Sequence, residues 1–315
     1  MNKILLIVYA LLLISCKKEE TPVADTDAII TSWLDDAGIS TASRDDSGIY
    51  YYPEATNPAG ALVSSGNVVA IYYSLFNLDN TLIASHQSSD GDSLIFKHGV
   101  AAVYPIGLDI GVGYMRLGET YSFLLPPVMA FGGLTSGALE EDQIYRLVVN
   151  VVALHNENDL FAQELLNIQQ YIDDNMLDDL TLNPLDPTDF FPSGIAYKRL
   201  IAGNGILPVI EDTIIVNYSG RFLDDSGFDS KSGFEWIYGS NSPRELLSGF
   251  EFGVSLMQTG ERALLFIPSS EAYRESALVI PQYIAGDLIE DDIIPDYVGR
   301  VPAYKTLIFD ITRVD

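Results

Sequence analysis

One hairpin-like stretch of this chain has the residue types and spacing to do chemistry. Tyr218 sits in the run Val216-Asn-Tyr-Ser-Gly220, and Phe228-Asp229-Ser230 follows a turn-forming Asp224-Asp225-Ser226-Gly227. Alternating apolar residues before the turn predict a β-hairpin that presents one hydroxyl beside a Phe-Asp pair. What such a set offers is hydrogen bonds and apolar surface. Other chemistries find no support. Cys16 is the only cysteine, so an intrachain disulfide, a zinc cluster and thiol catalysis are excluded. His86, His98 and His155 share no short-range ligand spacing and are expected at the surface or in the core. Gly111-Val-Gly113 has neither the following helix nor the third glycine of a nucleotide fingerprint. No cofactor and no metal is expected.

The elements that must position these residues occur twice. Val69 to Ser85 is an eroded copy of the hairpin, with Ile83-Ala84 at the place of Phe228-Asp229. Ser47-Gly48-Ile49 matches Ser193-Gly194-Ile195, and Tyr73 matches Tyr218. Gly107-Leu-Asp-Ile-Gly111 matches Gly249-Phe-Glu-Phe-Gly253, and Gly118-Glu119 matches Gly260-Glu261. Each copy ends in a β-rich segment and is preceded by a helix, at 28–36 and at 158–176. The apolar stripe of the second helix is expected to pack as core or as a face between domains. Two α+β domains of similar fold follow, at 26–155 and 186–315, joined by a linker helix within 156–185. Pro184, Pro187 and Pro192 break that helix before the second block.

Composition and the N-terminus set the context. The 315 residues suit about two domains, and 48% hydrophobic residues can fill sizeable cores. A net charge of −27 with no basic patch excludes nucleic acid as a partner. Acidic clusters such as Asp287-Leu-Ile-Glu-Asp-Asp292 lack the spacing of a calcium loop. Lys3 followed by apolar Ile4 to Ile14 predicts a signal peptide over 1–15, too short to span a bilayer, which takes about 20 residues. Leu13-Ile14-Ser15-Cys16 resembles the bacterial lipobox, which implies a lipidated Cys16 and a tether over 16–25. Lys17-Lys18-Glu19-Glu20 resembles the surface-export signal of Bacteroidetes-type lipoproteins. The bacterial envelope is the expected location, lipid-anchored at the outer membrane, with either the periplasmic or the surface-facing side open.

Over both copies the ordered motifs resemble the FKBP-type peptidyl-prolyl cis–trans isomerases. In the second copy the series runs through Tyr218, Phe228-Asp229, Gly249-Phe250, Met257, Gly260-Glu261, Ala272-Tyr273 and Pro302 to Asp310. The resemblance implies a bent antiparallel sheet wrapped around a short helix, here expected at 243–248. It also implies a non-covalent site in which Tyr218, Phe228, Asp229 and Tyr273 act on the prolyl bond. Phe234, Leu246, Leu247, Phe250, Phe309 and Val301 would bind the substrate. Phe250 stands where the family usually has tryptophan, Arg274 replaces a glycine, and Glu275–Arg300 is longer than the family's flap. In the first copy Ala84 removes the carboxylate, Ile83 and Leu108 remove aromatics, Phe131 removes the donor hydroxyl, and Val149 is read as replacing the last pocket aromatic. The implied function is prolyl isomerisation of exported, proline-containing polypeptides by the second copy. The alternative is a lipoprotein that binds clients or an envelope complex without catalysis, as in gliding-motility systems.

Overall fold

A computed structural model describes residues 25–177, 180, 194–240 and 246–314, so Cys16, the signal peptide and most of the tether lie outside the described residues. One unit ends at Ser40, and in it α1 (Thr26–Asp36) is capped by Asp25, whose carboxylate accepts from the Ala28 N–H. Residues 41–315 form a second unit. Its first half carries β1 (Ser43–Arg44), β2 (Tyr50–Ala55), β3 (Val68–Asn77), β4 (Leu82–His86), β5 (Leu94–Lys97), β6 (Val103–Tyr104), α2 (Ile106–Val112), β7 (Thr120–Leu125) and β8 (Tyr145–His155). Next comes α3 (Glu157–Asp174). The second half carries β9 (Ala196–Ile201), β10 (Thr213–Arg221), β11 (Gly227–Ile237), α4 (Ser248–Ser255), β12 (Arg262–Ile267), β13 (Leu278–Val279), α5 (Ala285–Glu290) and β14 (Leu307–Arg313).

The two sheets repeat one plan. The first has the order β1-β2-β7-β8-β3-β4, with β5 also paired to β3; the second has β11-β10-β14-β12-β9. Exchanging β2 for β9, β7 for β12, β8 for β14, β3 for β10, and β4 with β5 for β11 turns one order into the other. All these pairs are antiparallel. Register agrees as well: Leu75 faces Ala84 as Gly220 faces Asp229, and Tyr73 faces Val149 as Tyr218 faces Ile311. The fold class is α+β, two bent sheets each with a short helix, as the sequence implies.

The repeated glycines explain how each helix lies on its sheet. Added to Gly253, a Cβ would come 2.2 Å from Leu265, and on Gly249 it would come 2.4 Å from Ile267. In the first half Gly111 meets Phe123 at 2.7 Å and Gly107 meets Leu125 at 2.8 Å in the same way. Two glycines four apart share one helix face, so the backbone itself rests on the strands. Glycine disfavours a helix by about 1 kcal/mol per residue, and burial of Phe250 and Val254 outweighs it. The expected helix at 243–248 is therefore displaced: α4 starts at Ser248, with residues 241–245 outside the described residues. The Gly-Glu pairs also have a cause. Gly118 and Gly260 adopt φ of 84° and 79°, and each following glutamate folds back to accept from a backbone N–H, Arg116 at 2.8 Å and Gln258 at 3.1 Å. Glu261, fully buried, also accepts from Tyr197 and from Arg199 Nε. Burial alone would raise its pKa, and these hydrogen bonds hold it below the usual carboxylate range.

Helix α3 packs by its apolar stripe. Ile168 and Ile172 pack with Ala196, Leu264, Phe266 and Ile308 of the second sheet. Two turns earlier, Leu160 and Phe161 join Val68, Ala303 and Tyr304, residues of both halves. Buried Glu164 on the same face accepts from the Ser269 N–H at 2.6 Å, and its pKa is pushed up by burial.

The long segment between Tyr273 and β14 is placed unexpectedly. Its β13 pairs in parallel with β6 of the first half, Leu278 against Val103 and Val279 against Tyr104. Val279, Ile280, Ile284, Leu288 and Val298 are buried in the core of the first sheet, with Tyr73, Leu108, Phe131 and Leu147. Thus most of the insert completes the other half's core.

Candidate functional site

Strand β10 buries Ile214 and Val216 and turns Tyr218 toward the same side, half-buried. Three phenylalanines meet the Tyr218 ring edge to face: Phe234 at 5.8 Å, Phe250 at 5.5 Å and Phe309 at 5.7 Å between centroids. Such tilted pairs suit the ring quadrupole and fix the geometry of an apolar bowl. Helix α4 supplies Phe250 as its floor, and β14 supplies Phe309, which meets Phe250 at 5.0 Å. Beneath the floor lies Trp236, 6.0 Å from Phe250 and stacked on Phe234 at 5.4 Å.

The polar rim is as specific. The turn after β10 is tied by Phe222 N–H to Ser226 O, and Asp224 accepts from the Ser226 N–H. It returns the chain so that Asp229 stands opposite Gly220. A side chain at Gly220 would strike the Phe228 ring at 2.6 Å, so glycine here permits the aromatic packing. The Tyr218 hydroxyl donates to Asp229 Oδ2 at 2.8 Å, while Oδ1 accepts from the Ser230 N–H at 2.8 Å. Burial, and then the hydrogen bond to Asp229, push Tyr218 well above the usual tyrosine range. For Tyr273, burial followed by the Asp229 charge raises the hydroxyl to about 12. Both hydroxyls therefore stay protonated, and able to donate, at neutral pH.

The cavity enclosed has a volume of about 340 Å³. Of the residues expected from sequence, Tyr218, Asp229, Phe234, Leu246, Leu247, Phe250, Tyr273 and Phe309 line it together. Two expected residues stand elsewhere. Phe228 packs behind the wall, against Phe222 at 5.0 Å and Phe309 at 5.6 Å, because it faces the turn and not the bowl. Val301 is buried in the second core, behind the lining. Four lining residues were not anticipated: Lys231, Asp296, Tyr297 and Arg300. The last three come from the far end of the insert, where Tyr297 stacks on Tyr273 at 4.5 Å and Arg300 pairs with Asp296 at 2.9 Å. Only the insert's unusual length signalled them. Among the described residues no group of three or more His, Cys, Asp or Glu could hold a metal ion.

The equivalent place in the first half is closed. Tyr73, Leu108 and Phe131 are each no more than 5% exposed. The insert lies on them: a side chain at Gly137 would strike the Tyr283 ring at 2.8 Å, and Tyr73, raised to about 12 by burial, also senses Tyr283. Register corrects one equivalence. Gly220 faces Phe309 where Leu75 faces Leu147, so Leu147, and not Val149, replaces the pocket aromatic. The Tyr273 loop is conserved in shape, since Gly132 and Arg274 both adopt positive φ, 58° and 44°.

Residues 206–313 match the family model of the FKBP-type peptidyl-prolyl cis-trans isomerase. The chain is similar to the probable FKBP-type peptidyl-prolyl cis-trans isomerase FkpA of Neisseria meningitidis, 31% identical over 127 residues, which cover 39% of this chain and 38% of that protein. It is also similar to the outer membrane protein MIP of Legionella longbeachae, 29% identical over 182 residues, 54% of this chain and 73% of that protein. The solved structure of the three FKBP domains of wheat FKBP73 aligns at 17% identity with a TM-score of 0.30, over 86% of this chain and 95% of that one. Residues 206–313 thus resemble an FKBP-type domain, and the same strand order and register recur in the first half.

Proposed function

We propose that this chain is a peptidyl-prolyl cis–trans isomerase and folding assistant for exported proteins, with one working pocket, carried by residues 186–315. The observation that supports this most strongly is the hydroxyl–carboxylate pair, Tyr218 and Asp229, fixed at the rim of an aromatic bowl. Rotation about a peptide bond faces a barrier of about 18–20 kcal/mol. For a prolyl bond the cis and trans forms lie close in energy, yet they interconvert over tens to hundreds of seconds. Amide resonance is what resists the twist, and its charge-separated form is favoured by water. The Phe234, Phe250 and Phe309 walls would desolvate the bond and favour the twisted amide. Asp229 holds Tyr218 in place, and Tyr273 donates its hydroxyl to a substrate carbonyl. Stabilising the twisted state more than either planar one is all the chemistry required.

The first half, residues 26–155, is proposed as a structural partner without isomerase activity, since Ala84 and Phe131 lack the carboxylate and the donor hydroxyl. Lipid on Cys16 is proposed to hold the mature chain at the bacterial envelope, a reading supported by the lipobox-like Leu13-Ile14-Ser15-Cys16. The outer-membrane name of the Legionella relative supports the same location. No described helix is long and apolar enough to cross a membrane.

A protease-coupled isomerisation assay on the full mature chain tests the catalytic proposal. Turnover above the uncatalysed rate is expected, and a rate equal to background would overturn it. Membrane fractionation tests the anchor: Cys16→Ala is expected to release the chain, and a lipid-labelled product in that variant would refute the site.

A further inference from the structure

Beside the aromatic bowl runs a second hollow of about 490 Å³, bounded by Leu246, Leu247, Tyr273 and Tyr297, four residues that also line the bowl. The two hollows lie side by side against this shared wall. At the far end of the second hollow the walls change ownership: Val100 and Ala102 come from the first half, in the turn that leads into β6. Those residues stand there because β13 pairs with β6, with Leu278 N–H donating to Ala102 O. Glu275 and Ser276 lie along the same wall. Glu275 Oε2 and Ser276 Oγ are buried and have no hydrogen-bond partner among the described residues, although Ser276 is only 4% exposed. A buried oxygen left unpaired is unfavourable, and a turn of either side chain toward the groove would let a client backbone amide relieve it. Val100, in contrast, is 47% exposed, an apolar side chain with room for an apolar neighbour.

We infer that the first half supplies a binding subsite for the second half's reaction. Resting on the isomerase reading above, the groove takes the extended polypeptide that flanks the proline. Apolar side chains of the client lie on Val100 and Ala102, and client N–H groups donate to Ser276 and Glu275. The wall shared with the bowl identifies the occupant, because a chain whose proline sits over Phe250 and that leaves past Tyr273 and Tyr297 comes against residues that line both hollows. Its backbone is unfolded there, since only an extended strand presents free amides to a narrow wall. The first half, without its own polar machinery, would then select substrates by length and by apolar residues near the proline.

The test compares a chromogenic prolyl tetrapeptide with a long unfolded prolyl peptide, each measured for turnover and, by fluorescence anisotropy, for binding to the full chain. Val100→Arg is expected to raise KM and Kd for the long peptide about tenfold, a change of about 1.4 kcal/mol. Tetrapeptide kinetics should stay within about twofold. Ser276→Ala, which removes a hydroxyl without opening a large cavity, should weaken long-peptide binding about threefold and leave thermal unfolding unchanged. Equal losses for both peptides, or unchanged long-peptide binding in Val100→Arg, would overturn the subsite. Absence of turnover in the parent chain would instead count against the isomerase reading. In that case loss of long-peptide binding in Val100→Arg would still support the groove, and retained binding would still refute it.

Discussion

The two halves fold on one plan, with matched strand order, matched register and matched helix glycines, yet their pockets have opposite fates. In the second half Phe250, Phe309 and Phe234 surround an open bowl, and Asp229 fixes Tyr218 at its rim. Leu108 and Leu147 replace two of these aromatics in the first half, Ala84 replaces the carboxylate, and the insert from the other half covers the rest. The difference teaches that a sheet and its helix survive loss of the polar rim, because the core needs only apolar volume. What the first half lost as a pocket it regained as a socket for the insert.

The largest expected effect probes that socket. Leu288 is fully buried in the first core, although it belongs to the second half's insert. Leu288→Ala should lower stability by about 2–5 kcal/mol in urea unfolding of the full chain. A loss below about 1 kcal/mol would show that the socket is not tightly filled. Next in size is the rim carboxylate: Asp229→Ala should lower kcat/KM by about tenfold to a hundredfold, or about 1.4–2.7 kcal/mol, with the fold intact by circular dichroism. Unchanged kcat/KM would remove the central contrast between the halves.

A smaller change, about threefold to tenfold in kcat/KM, is expected for Tyr273→Phe, which deletes one donor. Because the Tyr273 hydroxyl titrates at about 12, it donates as a neutral group across the working range. The parent rate should therefore stay level between about pH 7 and pH 9, and decline only as the hydroxyl ionises far above. A fall centred near pH 8 would contradict that role. The smallest effect is expected from repair of the first half. Ala84→Asp with Phe131→Tyr, placed in an Asp229→Ala background, should restore less than about twofold in rate, because Leu108, Leu147 and the insert still occupy the site. Substantial recovery would mean that the two polar groups alone separate the halves.

Local signals made much of this legible in the sequence. The hairpin, the twin glycine motifs and the spans of α1 and α3 follow from periodicities that each element carries within itself. Eight lining residues are legible because motif order fixes five of them on strands β10, β11 and β14 and helix α4, and Leu246, Leu247 and Tyr273 in the loops beside α4 and β12. Phe228 was misplaced because adjacency to Asp229 does not say which side of a strand faces the bowl, and successive side chains point opposite ways. Leu147 was missed because register depends on pairing partners that the sequence does not print. The insert was the hardest to read. Its destination depends on a long-range fit between Ile280, Ile284 and Leu288 and a hollow in the other half, and no local pattern encodes such a fit.

That destination has a consequence for how the chain comes into being. Synthesis delivers the N-terminal end first. The first sheet can pair its strands as soon as Tyr145–His155 emerges, yet Leu108 and Phe131 still lack their cover. The hollow waits until residues 278–298 arrive, after α3 and most of the second sheet have been made. A chain halted anywhere before Leu278 thus exposes an apolar socket that nothing in its own made portion can fill. Completion of the earlier half in this way waits on nearly all of the later half, with only the closing strand β14 still to come.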